Sequence, residues 1–377
     1  MADDVRIAYI PGDGIGIDVA EAAMHVARQA LSLADAGDLS LDRIHAGAAY
    51  FAEEGRDIET DGEERARKAD AIFLGAIGLP AIRHPDGTEI SPHLRLRELF
   101  QLYAGVRPVK AYPNGPQKLA DPKAADIDLV ILRESTEGLF YSAAVHNRSE
   151  VIGDSEVRDT LRITRTTTEK LHRFAFNLAT RRKARGHEGK VTCVDKANVF
   201  PSMAFFRKIY DEIRPEFPDI EAGYNYVDAQ ALDLVRKPWE ADVLVMENMF
   251  GDILSDLAGG LVGGMGMASC GEIGDENGLF QPAHGSAPDI MGKDLANPLA
   301  SILSGSLMLD YLGEKLQRPE LATSAQLIDQ AVQIGFEQNL LNPAEFGGPM
   351  GTKAITNAVS QLISDPNARE RAEEVLD

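Results

Sequence analysis

Cysteine is nearly absent from this 377-residue chain. There are two, Cys193 and Cys270, far apart and with no C-x-x-C spacing. That excludes a disulfide framework and a cysteine zinc site, and points to a reducing compartment. Positive charge is scarce as well: 38 Lys and Arg stand against 59 Asp and Glu, a formal net charge of −21. Nucleic-acid backbones and anionic membranes are poor partners for such a surface. No apolar run reaches the roughly 18 residues that a membrane span needs. The opening MADDVRIAYIPGDGIG has no charged leader before an apolar run, so no signal peptide is expected. Internal repeats and low-complexity linkers are missing too. These absences leave a globular protein, expected in the cytoplasm and long enough for two domains. An anionic substrate would need arginines gathered locally against the global field.

What is present alternates. VRIAYI (Val5–Ile10) has the pattern of a short strand and PGDGIG breaks it; Val19, Ala22, Ala23, Val26, Ala27, Ala30 and Leu31 then recur at helical spacing. DAIFLGAIG, DLVILRES, KVTCVDKAN and ADVLVMENMFGD are apolar runs that end in glycine or polar residues. They are predicted as buried strands, with helices between them such as Glu169 to Lys183, opened by a capping box at Thr166 and Glu169. The architecture is therefore α/β, with ligands expected at strand ends. The polar, partly alternating segment from Tyr141 to Thr166 breaks the rhythm. It is read as an extended arm or hairpin, either on the surface or clasping a second subunit.

Four constellations have chemical content. GDGIG (Gly12–Gly16) lacks the last glycine of a dinucleotide fingerprint, since position 17 is Ile; it is a glycine turn or a cofactor loop. Arg97, Arg107 and Arg133 are either a set gathered to hold a di- or tricarboxylate or, taken singly, ordinary surface ion-pair partners. Asp252 and Asp256 share a face if NMFGDILSDLAGG is helical. They are either two oxygen ligands for Mg²⁺ or Mn²⁺, with Asp228 as a third, or a cap and a solvated acid. Lys196 in VDKANV is an ion-pair partner or a proton carrier, and HGSAPDIMGKDLANP is a turn-rich loop with an acid for a ribose diol.

Taken in order, PGDGIG, GAIGLP, LRELFQLYAGVRPVK, RESTEGLF, VDKANV, YVDAQALDLV, NMFGDILSDLAGGLVGG and HGSAPDIMGKDLANP resemble one pattern, that of the β-decarboxylating dehydrogenases. These act on isopropylmalate, isocitrate, homoisocitrate, tartrate or D-malate. The resemblance spans nearly the whole chain. It implies a two-domain α/β fold of the isocitrate/isopropylmalate dehydrogenase kind, not a Rossmann fold, with a dimer-forming arm at about 141–166. One domain, binding NAD, would comprise residues 1–102 with 263–377; the other, residues 103–262. By the same likeness Arg97, Arg107 and Arg133 bind the substrate carboxylates, and Asp252 and Asp256 bind Mg²⁺ or Mn²⁺ with Asp228. Lys196 and Asp228 are lent by the neighbouring subunit, so a homodimer would share its sites. His284, Gly285, Ser286, Ala287, Asp289 and Asn297 form the adenosine loop. Asp289 followed by Ile290 favours NAD over NADP, because a carboxylate repels a 2′-phosphate.

The departures are local. Gln281 and Ile17 replace the usual Glu and Pro. Phe140 stands where the family has a proton-donating Tyr, and phenylalanine has no proton to give. Tyr141, next along, would point to the opposite face of an extended segment. Three readings follow: another donor (Lys196, Tyr141 or water), oxidation without efficient decarboxylation, or a non-catalytic regulatory subunit. Ser91 and His93 occupy the places of residues that hold the third carboxylate of isocitrate, although His93 beside a proline turn is equally a packing residue. The pocket is mixed, which favours a malate with a small or polar C3 group of the tartrate or D-malate type, ahead of 3-isopropylmalate.

Overall fold

A computed structural model describes residues 4–143 and 147–376. Ten strands form one mixed sheet: β1 (Val5–Gly12), β2 (Leu39–Arg43), β3 (Ala71–Ala76), β4 (Ala104–Lys110), β5 (Asp128–Glu134), β8 (Lys190–Asp195), β9 (Glu221–Tyr226), β10 (Val243–Met246), β11 (Ser269–Ile273) and β12 (Gly278–Pro282). Their order is β2-β1-β3-β12-β11-β4-β5-β10-β8-β9. The two outer blocks are parallel inside, as strands joined through helices must be. Antiparallel pairings of β11 with β12 and β4, and of β4 with β5, join the blocks and reverse their sense.

Helices cover both faces, so successive strand residues enter different cores. Val130 and Leu132 of β5 pack with Phe176 and Ile209, while Leu129 and Ile131 pack with Leu244 and Leu254. This second face is apolar at one end of the β4–β5 ladder. Toward the other end it carries Arg107 opposite Ile131, then Gly105 opposite Arg133. The switch from aliphatic to guanidinium places the site at the seam between the two blocks.

The arm is a hairpin of β6 (Glu150–Ile152) and β7 (Glu156–Arg158), all six residues exposed. Residues 144–146 of the expected arm lie outside the described residues. Two details correct the sequence reading. The long helix Arg165–Ala184 is capped by Thr164, whose hydroxyl accepts from the Thr167 amide, and not by the Thr166–Glu169 box. The reciprocal acid comes from elsewhere: Glu137 accepts the Thr164 amide at 2.8 Å. The second correction is that Leu139–Ser142 forms a single helical turn, not an extended stretch. Among the described residues, no helix is long and apolar enough to cross a membrane.

Candidate active site

The three arginines converge. Arg97 lies in the last turn of the helix Pro92–Leu99, Arg107 in β4 and Arg133 near the end of β5, and all three are buried. Arg133 donates from Nε to Asn248 Oδ1 at 2.8 Å and pairs with Asp252. Burial, then the neighbouring Arg97, pushes the Arg133 guanidinium down to about 10, so it stays charged at neutral pH. Arg97 and Arg107 share one acid absent from the sequence reading, Glu272 of β11, each at 2.9 Å. Burial alone would raise the Glu272 carboxyl. Arg97, Arg107 and Arg133 outweigh it and hold that group at about 2.

Asp252 and Asp256 lie one turn apart on the helix Asn248–Leu261, as the motif predicted. Glu247, not Asp252, caps this helix, accepting the Met249 and Phe250 amides. Glu247 also accepts the Leu139 amide at 3.2 Å, which ties the Leu139–Ser142 turn to the helix. Two glycines make this packing possible. A Cβ at Gly251 would stand 2.5 Å from Arg133 Cβ, and one at Gly138, whose φ is +68°, would stand 2.0 Å from Glu247 Oε1. Partial burial and then the Asp252 charge raise the Asp256 carboxyl. Two carboxylates one helical turn apart, Asp256 raised in part by the charge of Asp252, fit a hard divalent cation. Among the described residues, no three His, Cys, Asp or Glu come together as a metal cluster.

Lys196 and Asp228 form an ion pair at the far edge of the sheet, after β8 and at the start of the helix Val227–Arg236. Lys196 lowers the Asp228 carboxyl by its hydrogen bond. The turn that carries Lys196 is anchored by buried Asp195, which takes Arg207 through two bonds of 2.7 Å and the Ala197 amide at 2.8 Å.

The two aromatics separate cleanly. The Phe140 ring lies 4.9 Å from the Arg133 guanidinium carbon. Tyr141 is stacked between Arg148 at 4.5 Å and Arg162 at 4.1 Å. One step around a helical turn, not a flip across a strand, sends the phenol away from Arg133. His93 lies in the first turn of its helix with Nδ1 shut off from solvent and unpartnered, and burial followed by Arg97 pushes it down to about 3. Ser91 precedes that helix without capping it and lines the adjoining cleft with Leu94 and Arg83.

GDGIG forms a closely packed turn. A Cβ at Gly12 would stand 1.9 Å from Ala76 O, and one at Gly14 would stand 2.0 Å from Ser286 O. Asp13 accepts the Ala48, Ala49 and Gly78 amides. The Ile15 amide then holds Ser286 O at 2.7 Å, so the motif supports the expected adenosine loop from below. In that loop the Ser286 hydroxyl is spent on Gly78 O, and the Asn297 side chain on Glu345 and on the Leu299 amide, which it accepts. The open groups are Gly285, with nothing near its Cβ direction, exposed Asp289 after left-handed Ala287, and His284, whose buried Nε2 has no partner. An unfilled glycine face, an orphaned imidazole nitrogen and a free carboxylate fit an adenosine.

The carboxylates Glu137, Glu247, Glu272 and Glu345 escaped the sequence reading. Each acts on a partner distant in the chain, and no local spacing marks it.

Comparison with known proteins agrees with this geometry. Residues 6–359 match the family model described as isocitrate/isopropylmalate dehydrogenase. A "3-isopropylmalate/3-methylmalate dehydrogenase" of Methanocaldococcus jannaschii is 39% identical over 96% of this chain and 99% of its own. A homoisocitrate dehydrogenase of the same organism is 36% identical over 95% and 98%. Among solved structures, the isocitrate dehydrogenase of Methylococcus capsulatus superposes with a TM-score of 0.81 at 32% identity, covering 96% of this chain and all of that one. A β-decarboxylating dehydrogenase of Thermococcus kodakarensis gives 0.76 at 35%, covering 96% of each. The chain is an oxidoreductase that belongs to the isocitrate/isopropylmalate dehydrogenase family.

Proposed function

We propose that the protein carries out NAD- and divalent-cation-dependent oxidation of a malate-type 2-hydroxy acid with a small uncharged group at C3, with loss of CO₂ from the β-keto acid formed. The observation that carries this reading is the junction of Arg133 with Asp252, where a carboxylate-binding cradle meets a cation-binding pair. The names of the most similar relatives support 3-alkylmalates of the 3-isopropylmalate or 3-methylmalate kind. Tartrate or D-malate is the second reading, favoured by the polar Ser91 and His93 on the C3 side.

Asp252 and Asp256 would hold Mg²⁺ or Mn²⁺, and His284, Gly285 and Asp289 the adenosine of NAD. The chemistry that cation and cofactor supply is polarisation of the C2 oxygen and acceptance of hydride. Arg97, Arg107 and Arg133 orient the carboxylates. Lys196, tied to Asp228, exchanges the C2 hydroxyl proton, with the pair contributed by a second subunit. A homodimer is supported by the hairpin, whose Val151 and Val157 are 66% and 62% exposed with no core beneath them. Leu232, Val235 and Ile253 add exposed apolar side chains on the helices that carry Asp228 and Asp252. Two buried free cysteines fit a reducing cytoplasm.

One parallel screen with Mg²⁺ tests this reading: NADH formation from 3-isopropylmalate, 3-methylmalate, D-malate, tartrate and isocitrate. The 3-alkylmalates are expected to give the highest kcat/KM, with NADP at least about tenfold poorer than NAD. A lead for tartrate or D-malate installs the second reading, and a lead for isocitrate removes both.

Phe140→Tyr gives a separate expected outcome. The phenol would lie over Arg133, where an enolate left by CO₂ loss needs a proton. Decarboxylation of the added keto acid should rise by about tenfold or more, within the usual span of general acid catalysis, while hydride transfer is little changed. Loss of both activities would instead make Phe140 a packing surface for the substrate.

A further inference from the structure

Glu272 is a carboxylate placed where a carboxylate-binding site should have none. It is fully buried, and Gly105 is its ladder partner on one side of β4 while facing Arg133 on the other. Gly105 has no side chain to occupy the floor: a Cβ there would stand 3.0 Å from Glu272 Oε2 and 2.6 Å from Ser135 Oγ. The acid thus lies over the glycine, with the Ser135 hydroxyl beside it and Arg97 and Arg107 both on Oε1. Both arginines keep an Nε without a partner, so they retain donors beyond those given to Glu272.

The charges around the cradle can be followed pair by pair. Asp252 and Asp256 would balance one divalent cation, and Lys196 balances Asp228. Three guanidiniums remain; Glu272 cancels one of them, while Glu247, the buried acid of the adjoining helix cap, is spent on the Leu139, Met249 and Phe250 amides. The two positive charges left match a dicarboxylate. A tricarboxylate would bring one negative charge too many into a water-poor space, where an uncompensated charge is strongly disfavoured. On the neighbouring wall, burial pushes the His93 imidazole down, and the cleft arginines Arg83 and Arg95 are already paired, with Glu89 and with Asp57 and Glu63.

We propose that Glu272 sets how many carboxylates the site accepts, rejecting a substrate whose C3 group carries a third one. The inference rests on the proposed malate-type function and adds its charge rule.

The test uses binding without turnover. Affinities for succinate, a dicarboxylate, and tricarballylate, a tricarboxylate, are measured by calorimetry with Mg²⁺. The wild type should prefer succinate. Glu272→Gln keeps the shape and an acceptor for the arginines, and should move the ratio toward tricarballylate by about ten- to a hundredfold. Glu272→Asp keeps the charge and should keep the preference. Equal weakening of both ligands in Glu272→Gln makes Glu272 only a positioning residue for the arginines and overturns the proposal. Should that variant fail to fold, the wild type decides: tighter binding of tricarballylate than of succinate is equally fatal. The two readings fail separately. No NADH from any malate alongside the expected ratio removes the function and keeps the charge rule; turnover of malates with an unshifted ratio does the reverse.

Discussion

Replacing Asp252 with Asn is expected to lower kcat/KM by at least about a thousandfold, roughly 4 kcal/mol of transition-state stabilisation. Three effects combine. The helix would lose one of the two carboxylates proposed to hold the cation, and a neutral amide oxygen is a much weaker ligand for a hard cation. Arg133 loses its ionic partner and keeps only Asn248 and the Phe140 ring. Asp256, raised in part by the Asp252 charge, is relieved of that repulsion and no longer needs a cation beside it. Some stability should be lost as well, because Arg133 is buried and gives up an ionic partner, although the 49% exposure of the Asp252 side chain moderates the cost. Mn²⁺ titration gives the second readout, with affinity falling alongside activity. Activity within tenfold of wild type at unaltered Mn²⁺ affinity would remove Asp252 from the cation site.

The second large effect is a rescue. Lys196→Ala and Asp252→Asn should each be almost inactive alone, yet regain about a quarter of the wild-type rate when unfolded together and refolded as a mixture. In a closed dimer with shared sites, about half the molecules would be mixed, and each would own one site with both lesions and one with neither. The physical ground is the separation within one chain. Lys196 and Asp228 form a pair at the edge of the sheet, while Asp252 and Asp256 lie on a helix packed on β5, and among the described residues no three acids of one chain gather so as to hold a metal ion. Mixing Asp252→Asn with Asp256→Asn is the control, and should rescue nothing, since both lesions lie on the same side of the shared site. If the Lys196→Ala mixture also stays inactive while dimers form, each chain builds its own site.

Much of this protein was legible as text. The strands could be read because a sheet covered on both faces demands short apolar runs, and DLVILRE, AIFLGA and VLVM are such runs. The Asp252–Asp256 pair could be read because four residues make one helical turn. Arg97, Arg107 and Arg133 stand out in their motifs, and the fold buries all three near one another. The carboxylates that position them were not. In SCGEI, Glu272 looks like the solvent side of an edge strand, and only the pairing of β11 with β4 shows that it faces two arginines. Glu247 and Glu137 likewise act across more than twenty residues of chain, on an amide of Leu139 and on the cap of a helix.

The stretch from Arg133 to Ser142 shows the same division on a small scale. Sequence alone determined that a phenyl ring, incapable of giving a proton, occupies position 140, and that glycine stands at 138. The tertiary structure decided which ring meets Arg133. Glu247 reaches from another helix to hold the Leu139 amide, and its carboxylate fills the space that a side chain at Gly138 would need. That contact winds the chain into a turn, sets Phe140 over the guanidinium and leaves Tyr141 between Arg148 and Arg162. The physical reason is general: a sequence specifies what each side chain can do, but the direction it points depends on backbone bonds made by residues far along the chain.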